Sequence, residues 1–343
     1  MKRSLRHHGA LLKILLPATV AGLFIGFAFV FFFTSALHDP KPDGMTVGII
    51  GPAAARAKVQ SALEQAMPGG IELRTYASAH DAREATREQE VNGAFVADPA
   101  KPTLITAGAL GSSVNDVLHA AFGGAVAAQG QRLTVEDLSP APAHDARGIS
   151  AFFVVAGTTI GSLVFSVALY FLGGHGGFAP FRVRLAVIAA FAVVAGLVVA
   201  ADTEWVANGL GGAFLEVAGI VALLAASIAL ATAAVARWLG APGLGLCALF
   251  FMLFSLPASG GAVGPEFVPT FYHSVAPALP SHAALQALKG VVYFEGGGVL
   301  GPLLILLAWV GGALFVHLVA RLLRHAAPHP PVIGTLPDLR LQR

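Results

Sequence analysis

The sequence predicts an α-helical integral membrane protein with six transmembrane helices and a small α/β domain inserted between the first and second. Composition is the first reason, because 56% of the residues are hydrophobic and only 12% are charged, whereas soluble domains carry about 25% charged residues. The second reason is the long uncharged runs along the chain. The third is residues 38–148, where charges and amphipathic patterns return.

About 20 apolar residues are needed for a helix to cross the hydrocarbon core of a bilayer. Six runs meet or approach that length, at residues 14–37, 149–172, 185–201, 213–236, 243–256 and 299–321. A cleaved signal peptide is the alternative for the first run, but its length and its many phenylalanines favour a retained anchor. The predicted organisation is a basic segment 1–13, a first helix 14–37, a domain 38–148, a five-helix bundle 149–322 with a Pro/Gly-rich outer loop at 257–298, and a tail 323–343.

The domain at 38–148 shows short apolar runs alternating with amphipathic ones. The predicted order is β-α-β-α-β-β-α-β, with the elements at residues 45–50, 53–67, 71–76, 79–90, 91–96, 104–107, 112–129 and 132–138. This order is typical of a small α/β domain with a mixed sheet.

The basic residues predict the orientation, since lysine and arginine in short loops favour the cytoplasmic side. If the N-terminus is cytoplasmic, nine basic residues near span ends face inward: Lys2, Arg3, Arg6, Lys13, Arg182, Arg184, Arg237, Arg321 and Arg324. The opposite short loops hold only Lys289. We therefore expect a multi-pass protein of the cell membrane, with both termini cytoplasmic and residues 38–148 outside.

Motifs for catalysis and cofactor binding are missing from the sequence. It contains no GxxxxGK[ST] phosphate loop, no HExxH, no GxSxG, and a single cysteine, Cys247. We therefore expect no enzyme activity, no catalytic residue, no cofactor and no metal site. The formal net charge of +2 gives no reason to expect nucleic acid as a partner.

Glu216, Thr158 and Ser162 are candidates for a transport path, because polar groups inside spans often line one. Glu216 has an alternative interpretation, in which it lies in the first turn of its helix and reaches the outer interface. Thr158 and Ser162 have one too, since Gly157 and Gly161 beside them suggest a packed face between helices.

The segment 257–298 contributes two further candidates, Lys289 and Tyr293. Ser281 begins a predicted helix in which these two side chains share a polar face with His282 and Gln286. Such a helix lies on the outer leaflet or re-enters it. It is then either an element near an outer gate or an interfacial loop.

Three stretches carry a resemblance to a known family. They are YASAHDAREATREQEVNGAFVADP (residues 76–99), HDARGISAFFVVAGTTIGSLVF (144–165) and FVPTFYHSVAPALPSHAALQALKGVVYFEGGGVLGPLLILLAWV (267–310). With the one-plus-five arrangement of spans, they resemble permeases of the ABC-2 type transporter superfamily. The resemblance is to the subgroup with a large extracytoplasmic insert, the phage-infection-protein-like membrane proteins, and covers about residues 10–325.

The resemblance implies a permease subunit that exports a lipid-like or amphipathic compound. It also implies a homodimer or heterodimer in the bilayer and a separate ATP-binding subunit, and it supplies no catalytic residues. Such a subunit is expected to bind its ATPase through the loop 173–184, the basic segment 1–13 or the tail. The alternative class is a membrane-anchored extracytoplasmic binding or envelope-assembly protein without transport activity.

Overall fold

The computed structural model describes residues 2–37, 40–173, 181–206, 210, 212–261 and 263–326. The described chain is mostly helical and contains one small mixed sheet. Five of its helices are long and apolar enough to cross a membrane, which indicates a multi-pass protein embedded in a bilayer. These candidate spans are Ser150–Leu172, Phe181–Val206, Phe214–Leu239, Ala241–Ala258 and Leu300–Leu323.

The chain begins with one long helix, α1 (Lys2–Leu37), so the basic segment predicted at 1–13 is continuous with the first apolar run from Lys2 onward. Its described apolar portion, Gly22–Leu37, is shorter than the five candidate spans. This helix contacts the rest of the bundle near its C-terminal end, where Ser35 shares a 2.7 Å hydrogen bond with Tyr272.

The domain confirms the predicted mixed sheet. Its strands and helices are β1 (Met45–Ile50), α2 (Ala53–Ala66), β2 (Ile71–Thr75), α3 (Ala79–Arg87), β3 (Ala94–Val96), β4 (Thr103–Thr106), α4 (Ser112–Ala127) and β5 (Thr134–Asp137). The strand order is β2-β1-β3-β4-β5, and only the β3–β4 pair is antiparallel. Alternating apolar residues such as Met45, Val47 and Ile49 are buried because they face the helices.

Residues from the segment after the fifth predicted span complete the core of this domain. Phe267 is only 3% exposed and packs in the same apolar cluster as Met45 and Val114, with Val263 beside it. Next to this contact, the Asp43 backbone donates a 2.9 Å hydrogen bond to the Glu266 carbonyl. The domain and the segment after the fifth predicted span therefore share one core.

The bundle is built around one central helix. Its helices are α5 (Ser150–Leu172), α6 (Phe181–Ala201), α7 (Phe214–Leu239), α8 (Ala241–Ala248), α9 (Leu256–Ala258), α10 (Thr270–Val275), α11 (Pro280–Tyr293) and α12 (Leu300–Ala326). Helix α7 contacts α5, α6, α11 and α12. Its contact with α6 is closest at Gly196, where any side chain would collide with the Ala218 carbonyl oxygen.

Two predictions about this half differ from the structure. The third predicted span, 185–201, is too short, because the helix begins at Phe181 and ends at Val206. Its last turn is π-helical and contains Asp202 and Glu204. The segment 257–298, predicted as a loop holding one helix, contains α10, α11 and further helical turns. The rest of the predicted tail beyond Ala326 and residues 174–180 of the predicted loop 173–184 lie outside the described residues.

Candidate functional site

Helix α11 lies inside the bundle rather than on its surface. Proline at its first position suits a helix start, where no backbone donor is needed. Residues on its apolar face, such as Ala284, Leu285 and Leu288, are buried in the core shared with α5, α7 and α12. The 14 residues of α11 span about 21 Å.

Two hydrogen bonds fix the N-terminal end of α11. Trp309, about 13 Å along α12 from Leu300, donates from its indole nitrogen to the Ala278 carbonyl at 2.9 Å. Ser255 donates to the Ser281 hydroxyl at 2.9 Å. The start of α11 is therefore held against α12 and the end of the fifth candidate span.

The other end of α11 meets the linker between the domain and α5. Asp145 is 4% exposed, and its carboxylate accepts hydrogen bonds from the backbone N–H groups of Ile149 (3.0 Å) and Ser150 (3.2 Å). A carboxylate at a helix N-terminus satisfies unpaired donors and is stabilised by the helix dipole. Tyr293 donates to the same carboxylate at 2.6 Å. Burial, followed by the contact with Asp145, raises the pKa of Tyr293.

Lys289, one turn before Tyr293, is also buried, at 4% exposure. Its ammonium group donates to the Leu110 carbonyl of the domain at 3.2 Å. Burial lowers the pKa of Lys289, and the carboxylates of Glu266 and Asp145 oppose that shift. A buried cation is costly unless it is paired. The hydrogen bond from Lys289 to the Leu110 carbonyl therefore stabilises the contact between the domain and α11.

A glycine-rich turn between α11 and α12 makes the second contact with the domain. Gln89 donates from its side-chain amide to the Gly297 carbonyl at 2.9 Å, and Gly298 donates its backbone N–H to the Glu88 carboxylate at 2.8 Å. At Gly297 a side chain would collide with the Arg87 carbonyl oxygen. The backbone of the domain therefore rests directly on the backbone of this turn.

Between these contacts lies a cavity of about 380 Å³ with both polar and apolar lining residues. It is lined by Glu88, Gln89, Pro277, His282, Ala283, Gln286, Gly298, Gly301, Pro302 and Ile305. The Nδ1 atom of His282 and the Oε1 atom of Gln89 are buried and have no hydrogen-bond partner among the described residues. Burial lowers the pKa of His282 to about 4, so its imidazole is neutral at pH 7. Unpaired buried polar atoms are costly.

Of the predicted site residues, the structure brings together only Lys289 and Tyr293. Glu216 is exposed in the first turn of α7 and lines a separate apolar groove of about 670 Å³ between α6, α7 and α12. This position matches the alternative interpretation of Glu216 as a residue at the end of its span.

Thr158 and Ser162 are buried on α5. Ser162 donates to the Thr158 carbonyl of its own helix at 2.7 Å, and the Thr158 hydroxyl has no partner among the described residues. The expected close packing at Gly157 and Gly161 is absent, because a side chain at either position would meet no described atom within 4 Å.

Asp145 and Gln89 were missed by the sequence interpretation. Asp145 precedes the second predicted span by a few residues, which is the position of a helix-capping carboxylate, and this could have been noticed. Gln89 has a positive φ of 57°, and nothing in its sequence surroundings indicates either that conformation or its distant partner.

Neither a scan against models of known protein families nor a search of curated proteins finds a match for this chain. Within the described part of the chain, no three His, Cys, Asp or Glu side chains are grouped as metal ligands would be. The junction between the domain and α11 is therefore the candidate functional site.

Proposed function

We propose that this chain is a permease subunit of the ABC-2 type, which exports a lipid-like or amphipathic compound. The observation that carries the proposal is α11, a helix with a buried lysine that lines a cavity beside the domain. Buried polar and ionisable groups within a membrane bundle often mark a path for substrates. Irregular backbone at membrane depth is tolerated where it is buried or lines a cavity.

The proposed topology has six spans, with α1 as the first and the domain inserted between the first and the second. Helices α5 and α12 begin at the domain, so Arg182, Arg237 and Arg321 belong to helix ends on the opposite side. The positive-inside rule then favours a cell-membrane protein with the domain outside and both termini in the cytoplasm.

Labelling of lysines tests this orientation. Lys58 and Lys101 are exposed on the domain. A membrane-impermeant amine reagent is expected to modify both in intact cells and to modify Lys13 only after the cells are opened. Lys289 should stay unmodified in both cases, because it is buried. Labelling of Lys13 but not of Lys58 in intact cells would reverse the topology.

Energy for export is proposed to come from another chain, since the sequence contains no phosphate-binding loop. The resemblance to ABC-2 permeases supports a dimer in the membrane with a separate ATP-binding subunit.

The test of this partnership is purification of the full chain from its host in mild detergent, with mass spectrometry of the proteins that accompany it. An ATPase in stoichiometric amount is the expected result. Recovery of the chain alone, or only with envelope proteins, would contradict the proposal. Deletion of the gene should also stop export of an amphiphile, and an intact copy should restore it.

A cleft in the domain favours a second candidate, an extracytoplasmic binding or envelope-assembly protein without transport. The cleft has a volume of about 300 Å³ and lies beyond the carboxyl ends of β1 and β3, next to Pro52 and Asp98. Strands β2 and β3 lie on opposite sides of β1, and α/β domains bind ligands where the strand order reverses in this way.

A matched pair of variants of the full chain distinguishes a binding protein from an exporter. Ala54→Trp would fill the cleft, whereas Ala57→Trp lies on the exposed side of the same helix, outside the cleft. A binding protein would lose its envelope partner in Ala54→Trp alone. Loss of export with the partner retained would favour the permease.

A further inference from the structure

Two residues with side chains adopt a backbone conformation that favours glycine. Gln89 has a φ of 57° and Glu295 a φ of 54°, and no other non-glycine residue in the described chain has a positive φ. Side chains are rare there because the Cβ atom crowds the following carbonyl oxygen. Helices α4 and α7 use glycine for such turns, at Gly130 and Gly240. Gln89 and Glu295 therefore mark two strained helix ends.

The two strained ends are built alike. Gln89 comes directly after the residue that caps α3, and Glu295 comes directly after the residue that caps α11. In both, the next N–H group donates back into the last helical turn: Glu90 to the Ala85 carbonyl at 2.8 Å and Gly296 to the Gly290 carbonyl at 2.9 Å. Exchange of these two N–H groups with solvent therefore reports whether each end keeps its conformation.

The two ends contact each other across the junction. The Gln89 amide donates to the Gly297 carbonyl, and Gly298 donates to the Glu88 carboxylate. A methyl group at Gly290 would lie 3.1 Å from the Gln89 amide nitrogen. A glycine in place of Gln89 would relieve the strain but would lack the side chain that makes the contact. Strained residues persist where the surrounding structure holds them in this way, and they occur often in switch regions.

The tightest packing between the domain and the later chain lies on the other face of the sheet. Phe267 packs in the core formed with α2 and α4, whereas α3 packs on the opposite face, where Ala82 contacts the side chains of Ala94 and Ile105. The bonds of Lys289 and Tyr293 also involve parts of the domain other than α3. The strained ends can therefore separate while the packing at Phe267 stays intact.

We propose that the ends of α3 and α11 form a strained latch, residues 88–90 and 294–298, which opens and closes as one unit while the packing at Phe267 stays intact. Glu88 and Gln89 line the cavity of about 380 Å³ from the domain side, opposite Gln286 and Gly301. Opening of the latch removes this wall and admits water to the cavity. The latch goes beyond the proposed export function, and its test needs neither a substrate nor an ATPase.

Backbone hydrogen exchange of the full chain in phosphatidylcholine nanodiscs tests the latch. Mass spectrometry follows three segments: 86–90, 294–298 and the segment around Asp43, whose N–H group bonds the Glu266 carbonyl beside Phe267. The two latch segments are expected to exchange at similar rates, about tenfold faster than Asp43, because local opening needs less free energy than opening of a core. Equal exchange at all three would overturn the proposal, because the domain would then open as a whole.

Substitutions on either side of the latch should change exchange on both sides. Gln89→Ala keeps the strained conformation but removes the bond to Gly297, so exchange in both latch segments should become about fivefold faster. Glu295→Gly removes strain, so exchange in both should become about fivefold slower. Glu295→Ala is the control, because it removes the same exposed side chain without relieving the backbone, and it should leave exchange unchanged.

Two outcomes of these variants would contradict the latch. Faster exchange confined to 86–90 in Gln89→Ala would show that the two ends open independently. Equal exchange in Glu295→Gly and Glu295→Ala would show that strain does not set the opening.

Access to the cavity is measured with a water-soluble maleimide in a Cys247→Ala background, because Cys247 is the single native thiol. The thiol introduced by Gln286→Cys should react about fivefold faster when Gln89→Ala is added. The thiol introduced by Ala54→Cys, at an exposed position on the domain, should react at the same rate with and without Gln89→Ala. Unchanged reactivity at position 286 would overturn the opening of the cavity.

Discussion

Tyr293 donates a 2.6 Å hydrogen bond to Asp145, a residue 148 positions earlier in the chain. This contact joins the end of α11 to the start of α5, and the Ser139 hydroxyl donates to the Tyr293 carbonyl at 2.6 Å beside it. Helix α11, helix α5 and the domain linker therefore meet at one buried point.

Tyr293→Phe is expected to lower the stability of the purified protein by about 1.5–3 kcal/mol, because it removes a hydrogen bond to a charged acceptor that stays buried. The thermal unfolding midpoint measures the effect. Tyr272→Phe is the comparison, because Tyr272 shares a hydrogen bond with the neutral Ser35 hydroxyl. This substitution should lower the stability by about 0.5–1.5 kcal/mol. Equal midpoints for the two variants would show that the hydrogen bond to Asp145 stabilises the protein no more than the one between Tyr272 and Ser35 does.

Gly297→Ala is expected to loosen the domain, because the new methyl group would collide with the Arg87 carbonyl oxygen. Backbone hydrogen exchange at residues 86–89 should become faster by at least tenfold. Gly301→Ala is the control, because a side chain there meets no described atom within 4 Å. Slow exchange in both variants would mean that the domain does not rest on this turn.

Stability should fall as the pH decreases from about 6.5 to about 4. The pKa of His282 is about 4 in the folded protein, below its ordinary value of 6.5, so the unfolded chain binds the extra proton in this range. The free energy of unfolding decreases by at most about 3 kcal/mol over this pH range. A hydrogen bond with the Ser259 backbone favours protonation of His282, whereas the nearby charges of Lys289 and His273 disfavour it.

The check is the unfolding midpoint at pH 7 and pH 4.5. His282→Gln should show a smaller drop than wild type. His119→Gln, at an exposed position on α4, should behave like wild type. A drop of the same size in all three proteins would assign the acid sensitivity to other groups.

Thr158→Val is expected to stabilise the protein by about 1 kcal/mol and to leave export unchanged, because the Thr158 hydroxyl is buried without a described partner. Thr159→Val is the matched variant and should be destabilising by a similar amount, since Thr159 donates to the Val155 carbonyl at 2.8 Å. Loss of export in Thr158→Val with a raised midpoint would instead place Thr158 on the transport path.

Local patterns predicted the domain well. Its order of strands and helices follows from alternating and helical spacing, which report which face of an element is buried, as at Met45, Val47 and Ile49. Five of the six apolar runs coincide with helices long and apolar enough to cross a membrane, although the third helix continues past Asp202 and Glu204 to Val206.

The site was less predictable because its contacts join distant parts of the chain. Periodicity placed Lys289 and Tyr293 on one face of a helix but did not identify Leu110 and Asp145 as their partners. Glycine spacing was misleading in the same way. Gly157 and Gly161 have open space around them, and the close contact is made by Gly196.

Phe267 has a consequence for how the protein is made. It fills the core of a domain whose own chain ends more than a hundred residues earlier, beside Met45 and Val114. A ribosome delivers the domain's strands long before this phenylalanine emerges. The nascent domain is therefore expected to lack this part of its core until helices α5 to α9 have been synthesised, so that its final packing follows that of the bundle helices.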